Sequence, residues 1–206
     1  MFPVIVVIGS LTGLAGMLVY MRNTLVGGTK PNRVSWLIWC VAPLIAFAAA
    51  WDAGVRWAAL PTFVAGFGPC LVLGASFANR NAYWKLERLD YVCGACAFLA
   101  LALWAITSDP SVAIVFSMMT GGLASVPTIV KEWRSPETES ISAYLGGLVS
   151  GLSAFTAVTA WNLPSVAYPS YMVLISVILV APLLRGRKPK PGVNQGPKGH
   201  GVPDRE

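Results

Sequence analysis

Cysteines, carboxylates and a lone histidine are where redox, metal or acid–base chemistry would have to begin in this chain. Cys93 and Cys96 form a C-x-x-C pair, the spacing of dithiol redox sites and of half a zinc site. On a helix the two would share a face at i, i+3, a geometry that disfavours a disulfide, and no basic residue stands near enough in sequence to activate a thiol. Both, like Cys40 and Cys70, fall in apolar stretches and are expected to be small packing residues. His200 lies in a polar C-terminal segment, so a Ser–His pair has no base and a metalloprotease has no ligand set. Nor does the last apolar stretch carry a lysine for a Schiff base. No catalytic residue, metal ligand or cofactor site is expected. What remains are hydroxyls: Thr62 and Ser170 each follow a proline inside an apolar stretch and can donate and accept hydrogen bonds without ionising. That chemistry suits binding a neutral solute.

The elements that would position those hydroxyls are membrane spans. Apolar stretches run at about 3–21, 34–51, 56–77, 89–106, 111–130, 141–161 and 165–184, each close to the 17–25 residues a bilayer-crossing helix needs. The chain is 55% apolar and 12% charged, outside the soluble globular range. Fourteen of its 15 Lys and Arg residues, all but Arg56, fall on one side of a seven-span reading. Basic loops stay cytoplasmic, so a multi-pass protein of the inner (plasma) membrane is expected, with its N-terminus outside and its C-terminus inside. Trp51, Trp57, Trp104 and Trp161 would mark outer span ends, and Trp84 and Trp133 inner ones. The net charge of +6 is spread over four cytoplasmic segments and reads as orientation, with the lipid bilayer and not nucleic acid as partner. Residues 185–206, rich in Pro, Gly and charge, are expected to be a disordered cytoplasmic tail.

The spans repeat. TGLAG at 12–16 recurs as GGLAS at 121–125, Val34-Ser35 as Ile141-Ser142, and Ala59-Leu60-Pro61-Thr62-Phe63 as Ala167-Tyr168-Pro169-Ser170-Tyr171. Three segments in one order at nearly constant offset make two equivalent triplets. An odd span between them leaves both in the same orientation. The expected fold is therefore an all-α membrane protein of seven transmembrane helices, two parallel three-helix repeats joined by a linker helix (3+1+3). Residues 1–77 form the first repeat, 78–110 the loop and linker helix, and 111–184 the second repeat. Glycine clusters at Gly9–Gly13–Gly16 and Gly146–Gly147–Gly151 would let helices approach closely.

The segments AGMLVYMRNTLVGGTKPNRVSWLIWCVAP and ASVPTIVKEWRSPETESISAYLGGLVSG resemble the PQ-loop and SWEET superfamily, in a bacterial branch rather than among the eukaryotic sugar carriers. The likeness is closest at Pro127-Thr128, Lys131 and Thr138-Glu139-Ser140-Ile141-Ser142. It implies a carrier whose site lies between the repeats and whose helices bend at prolines. Pro43 and Pro127 match those hinge positions, while Leu18 and Ser150 hold the other two. Thr62 and Ser170 stand where sugar carriers tend to place an asparagine.

No ionisable side chain lies in the middle of any span, and such groups mark proton and ion pathways. The expectation is a uniporter-like facilitator of a small neutral or weakly polar solute, sugar- or amino-acid-like, working by alternating access and without catalysis. Thr62, Ser170, Trp39, Tyr171 and Thr128 are its candidate substrate-binding residues, with Pro43 and Pro127 as hinges. A homo-oligomer is compatible with the pattern. The alternative is a non-transporting receptor or accessory subunit on the same scaffold, as KDEL receptors illustrate for a related fold.

Overall fold

The computed structural model describes residues 3–186, apart from 80, 83, 105, 107 and 108. All but the first two residues of the expected tail, together with His200, lie outside the described residues, and so does the ring of Trp104. The described residues form seven α-helices: α1 Val4–Leu25, α2 Arg33–Asp52, α3 Leu60–Ala78, α4 Arg88–Trp104, α5 Pro110–Arg134, α6 Ile141–Ala154 and α7 Leu163–Gly186. This is an all-α membrane protein. Five segments, Val4–Leu25, Arg33–Asp52, Trp57–Ala78, Pro110–Arg134 and Leu163–Arg185, are long and apolar enough to cross a bilayer. α4 and α6 are shorter than expected; 17 and 14 residues rise only about 25 and 21 Å. A tight 3-10 turn, Phe155–Ala157, extends α6.

Local chemistry sets the boundaries. Asn32 caps α2 by accepting from the Val34 and Ser35 amides, and Asp109 caps α5 in the same way, with Pro110 in the first turn. After α2 the chain turns at Gly54, whose φ of +87° favours glycine. α5 runs four residues past the apolar stretch, through Lys131 to Arg134, and α7 runs to Gly186, two residues into the expected tail.

The helices close a ring. α3 packs between α1 and α2, and α7 packs between α5 and α6; the two triplets meet where α1 lies on α6 and α2 lies on α5. Exchanging the triplets maps one seam onto the other, as two equivalent parallel repeats require. α4 stands outside the ring against α5 and α2.

The two seams are chemically different. Along α1–α6 the backbones nearly touch: a Cβ on Gly13 would stand 2.9 Å from the Ser150 Cβ, and one on Gly146 3.2 Å from the Gly13 Cα. Small residues permit this approach, and dispersion between close backbones holds such a contact in lipid. Along α2–α5 hydroxyls do the joining. Ser35 Oγ donates to the Ala124 carbonyl at 2.7 Å and accepts from Thr128 Oγ1 at 3.0 Å.

Within the first triplet, α2 and α3 are joined by a disulfide between Cys40 and Cys70. This corrects the expectation that both are plain packing residues; their pairing depends on how two helices meet, which spacing along the chain does not reveal. Cys93 and Cys96 are free.

Candidate functional site

Two apolar clusters fill the ring, one at each end. At the end where the basic connections gather, Tyr20, Trp36, Ala143, Tyr144 and Leu179 pack together; at the other, Ala46, Ala50, Ile114, Tyr168 and Met172 do so. Between them lies a cavity of about 90 Å³, the share of roughly three waters. Its wall comes from both triplets: α1, α2 and α3 on one side, α6 and α7 on the other.

Aromatic side chains dominate that wall. Trp39 of α2 sets its ring edge-on to Trp36 at 5.4 Å and to Tyr144 at 6.5 Å, and its indole N–H donates to the Gly121 carbonyl at 3.1 Å. The same carbonyl accepts from Ser125 Oγ at 2.8 Å. Tyr171 of α7 brings its hydroxyl to 2.6 Å from where a Cβ on Gly121 would be, so the missing side chain at 121 makes room for it. Trp39 and Tyr171, both expected at the site, therefore line the cavity on either side of Gly121. Tyr168 adds its ring 5.5 Å from that of Tyr171. The polar groups on the wall are few, chiefly these phenols with Ser150 and Ser176. Ser150 Oγ is buried with no hydrogen-bond partner.

The other expected residues sit elsewhere. Ser170 is exposed and bonds back to the Val166 carbonyl at 2.8 Å. It lies two residues, about 200° of helix, from Tyr168 and so points away from the wall. Thr62 is buried yet off the cavity, two residues before Val64, which lines it. Thr128 is buried in the α2–α5 seam on Ser35. Pro43 lines the cavity and Pro127 does not, although both sit inside unbroken helices, where each leaves one carbonyl without its amide partner.

Below Trp36 and Tyr144, at the basic end, the structure holds a set of charges that the apolar-run criterion missed. Lys131 of α5 and Glu139, just before α6, form an ion pair with side chains 1% and 0% exposed. Lys131 Nζ also donates to the Lys30 carbonyl and lies 5.2 Å from the centre of the Trp84 ring. Glu139 accepts from the Tyr20 hydroxyl and from the Tyr144 hydroxyl, the latter at 3.3 Å. Glu132, also 0% exposed, stands beside Lys131, Glu139 and Tyr144, and neither of its oxygens has a hydrogen-bond partner. These groups lie beyond the middle of the spans, where no ionisable side chain is expected, yet they are buried. The signal was present: Gly121, Ser125, Thr128, Lys131 and Glu132 recur at i, i+4, i+7, i+10 and i+11 and share the buried face of α5.

The connections close over this set. The Lys30 amide donates to the Thr138 carbonyl at 2.9 Å, and the Trp84 amide to the Pro31 carbonyl at 3.2 Å. Asn32 donates to Asp90 and so fastens α4 to the start of α2. No family model, curated protein or solved structure matches the chain. Among the described residues no three His, Cys, Asp or Glu side chains are grouped to hold a metal ion.

Proposed function

We propose that this protein is a facilitator of a small neutral or weakly polar solute, acting by alternating access between its two triplets. The observation that carries the reading is the cavity itself: partly open, walled by helices of both triplets, rich in aromatic faces and provided with an unpartnered hydroxyl at Ser150. Solute sites in two-repeat carriers lie between the repeats. An aromatic wall with few polar groups matches a solute that is bound by stacking and oriented by one or two hydrogen bonds. At about 90 Å³ the cavity is well below the roughly 300–1,000 Å³ of sites for drug-sized ligands. On this reading the solute is small or enters as the triplets part.

The resemblance to the PQ-loop and SWEET superfamily supports the same reading, with the protein in the plasma membrane, its basic end in the cytoplasm and Pro43 and Pro127 as points of bending. Binding moves from Thr62 and Ser170 to Trp39, Tyr171 and Ser150, because these line the space available to a solute. The test is uptake of labelled sugars, amino acids and small carboxylates by liposomes carrying the protein. Saturable uptake that falls at least tenfold in Trp39→Ala or Ser150→Val and persists in Ser170→Val supports the reading. No uptake of any solute by folded protein transfers the reading to a receptor or accessory subunit on this scaffold. Loss in Ser170→Val alone places the site elsewhere.

A further inference from the structure

Glu132, Glu139 and Lys131 bring two carboxyls and one ammonium together in a space that water does not reach. The ammonium is committed: it bonds Glu139 and the Lys30 carbonyl and stands against Trp84. Among the described residues the neighbouring elements supply no second buried cation, and Arg22, Lys30, Lys85 and Arg88 are exposed. From α1 comes Tyr20 and from α6 Tyr144, both neutral phenols that donate to Glu139. α2 offers Arg33, which is bonded to Ser76 and lies over Phe77. α4 offers Asp90, held by Asn32 and the Glu87 amide. Arg134 pairs with Glu87 at the surface, and α7 offers Arg185, which lies over the Trp133 ring. A second buried carboxylate would therefore be an uncompensated charge, and such groups neutralise rather than remain ionised.

We propose that Glu132 is a proton-binding site, occupied while the basic end of the bundle is closed. The proton comes from water at that end. Once bound it makes Glu132 a donor beside Tyr144, whose own hydroxyl proton is given to Glu139. Closure forms a chain from Glu132 through Tyr144 to Glu139 and Lys131, and opening exposes Glu132 to water and lets the proton leave. Tyr144 belongs to the cavity wall, so the site touches the solute space through that residue. If the chain carries a solute as proposed above, its movement is linked to one proton; the binding site itself does not depend on that reading.

The test is the infrared spectrum of the full chain in liposomes at neutral pH, where exposed carboxyls are ionised. A protonated-carboxyl band is expected in the wild type and in the exposed-site control Glu137→Gln, and is lost in Glu132→Gln. Tyr144→Phe, which leaves Glu132 in place, shifts the band, so the proposal stays testable if Glu132→Gln does not fold. No band in the wild type, a band that survives Glu132→Gln, or one that Tyr144→Phe leaves unmoved overturns the proposal. A band that appears only when sodium is withdrawn overturns it too, since the occupant is then a metal cation. A band that behaves as expected in protein that moves no solute sinks the carrier reading and leaves the proton site standing.

Discussion

Replacing Lys131 by Met removes the only cation in the buried set and leaves its aliphatic stem nearly intact, so lost packing is small. The loss is electrostatic. Lys131 compensates Glu139 and also anchors the Lys30 carbonyl, so its removal strands a carboxylate and a carbonyl that water does not reach. Breaking a buried pair from one side costs about 3–5 kcal/mol. Removing Arg134 from its exposed pair with Glu87, whose side chains are 61% and 55% exposed, costs about 1 kcal/mol or less. The assay is unfolding in mixed micelles followed by tryptophan fluorescence, with Lys131→Met, Arg134→Met, Glu139→Gln and the Lys131→Met/Glu139→Gln double variant compared. Lys131→Met should fall at least about 2 kcal/mol below Arg134→Met, and the double variant should recover part of that loss because no charge is left stranded. If Lys131→Met is no worse than Arg134→Met, or the double variant is no better than the single, the set is not a buried, mutually compensated cluster.

Gly16→Ala puts a methyl into the Ser142 carbonyl, which no rotamer change relieves; it should cost about 1–3 kcal/mol, read as a lowered melting midpoint, while Gly122→Ala, with open space beside it, should melt as the parent does. Asn32→Asp keeps a residue that caps as well as asparagine but sets a second carboxylate against buried Asp90. It should therefore destabilise more than Asn32→Ser, and equal losses in the two variants would show that capping alone matters. In denatured protein without reductant, two of the four cysteines should react with maleimide and all four after reduction, because Cys40 and Cys70 are joined; four reactive thiols without reductant would refute the bond.

The fold was legible because lipid imposes coarse rules. Span length, basic loops and a repeated order of motifs gave seven helices, and glycines spaced as Gly9, Gly13 and Gly16 marked a seam where nothing larger fits. The site was less legible, and for a physical reason. Pairing Thr62 with Ser170 relied on their place in the repeat and on nearby prolines. Which side chain meets the cavity depends instead on helix rotation, and two residues around a helix reverse the facing. Trp39 and Tyr171 do reach the cavity wall, where large aromatics deep in a span have few other places to go. The burial of Lys131 and Glu132 escapes apolar run length, which ends a span at its first charge, whereas packing continues wherever neighbouring segments cover the next turn.

The repeat also explains why that buried set occurs once. At the offset that aligns α1 with α5, Lys131 corresponds to Arg22 and Glu132 to Asn23; Glu139 falls against Pro31 or Asn32. Arg22 is exposed, Asn23 is neutral and donates to Ser140, and the first connection has no carboxylate at the matching place. Both connections nevertheless converge there, since Lys30 of the first supplies the carbonyl that Lys131 of the second repeat needs. Two equivalent triplets thus close a symmetric ring of helices but place their ionisable groups in one of them, at one end. To part the triplets at the basic end, the bonds from Lys131 to the first connection and from Tyr20 to Glu139 must break together. At the other end, parting separates alanines, Ile114, Tyr168 and Met172, contacts with no direction and no charge. The end that carries the charges is the one whose opening a proton can govern.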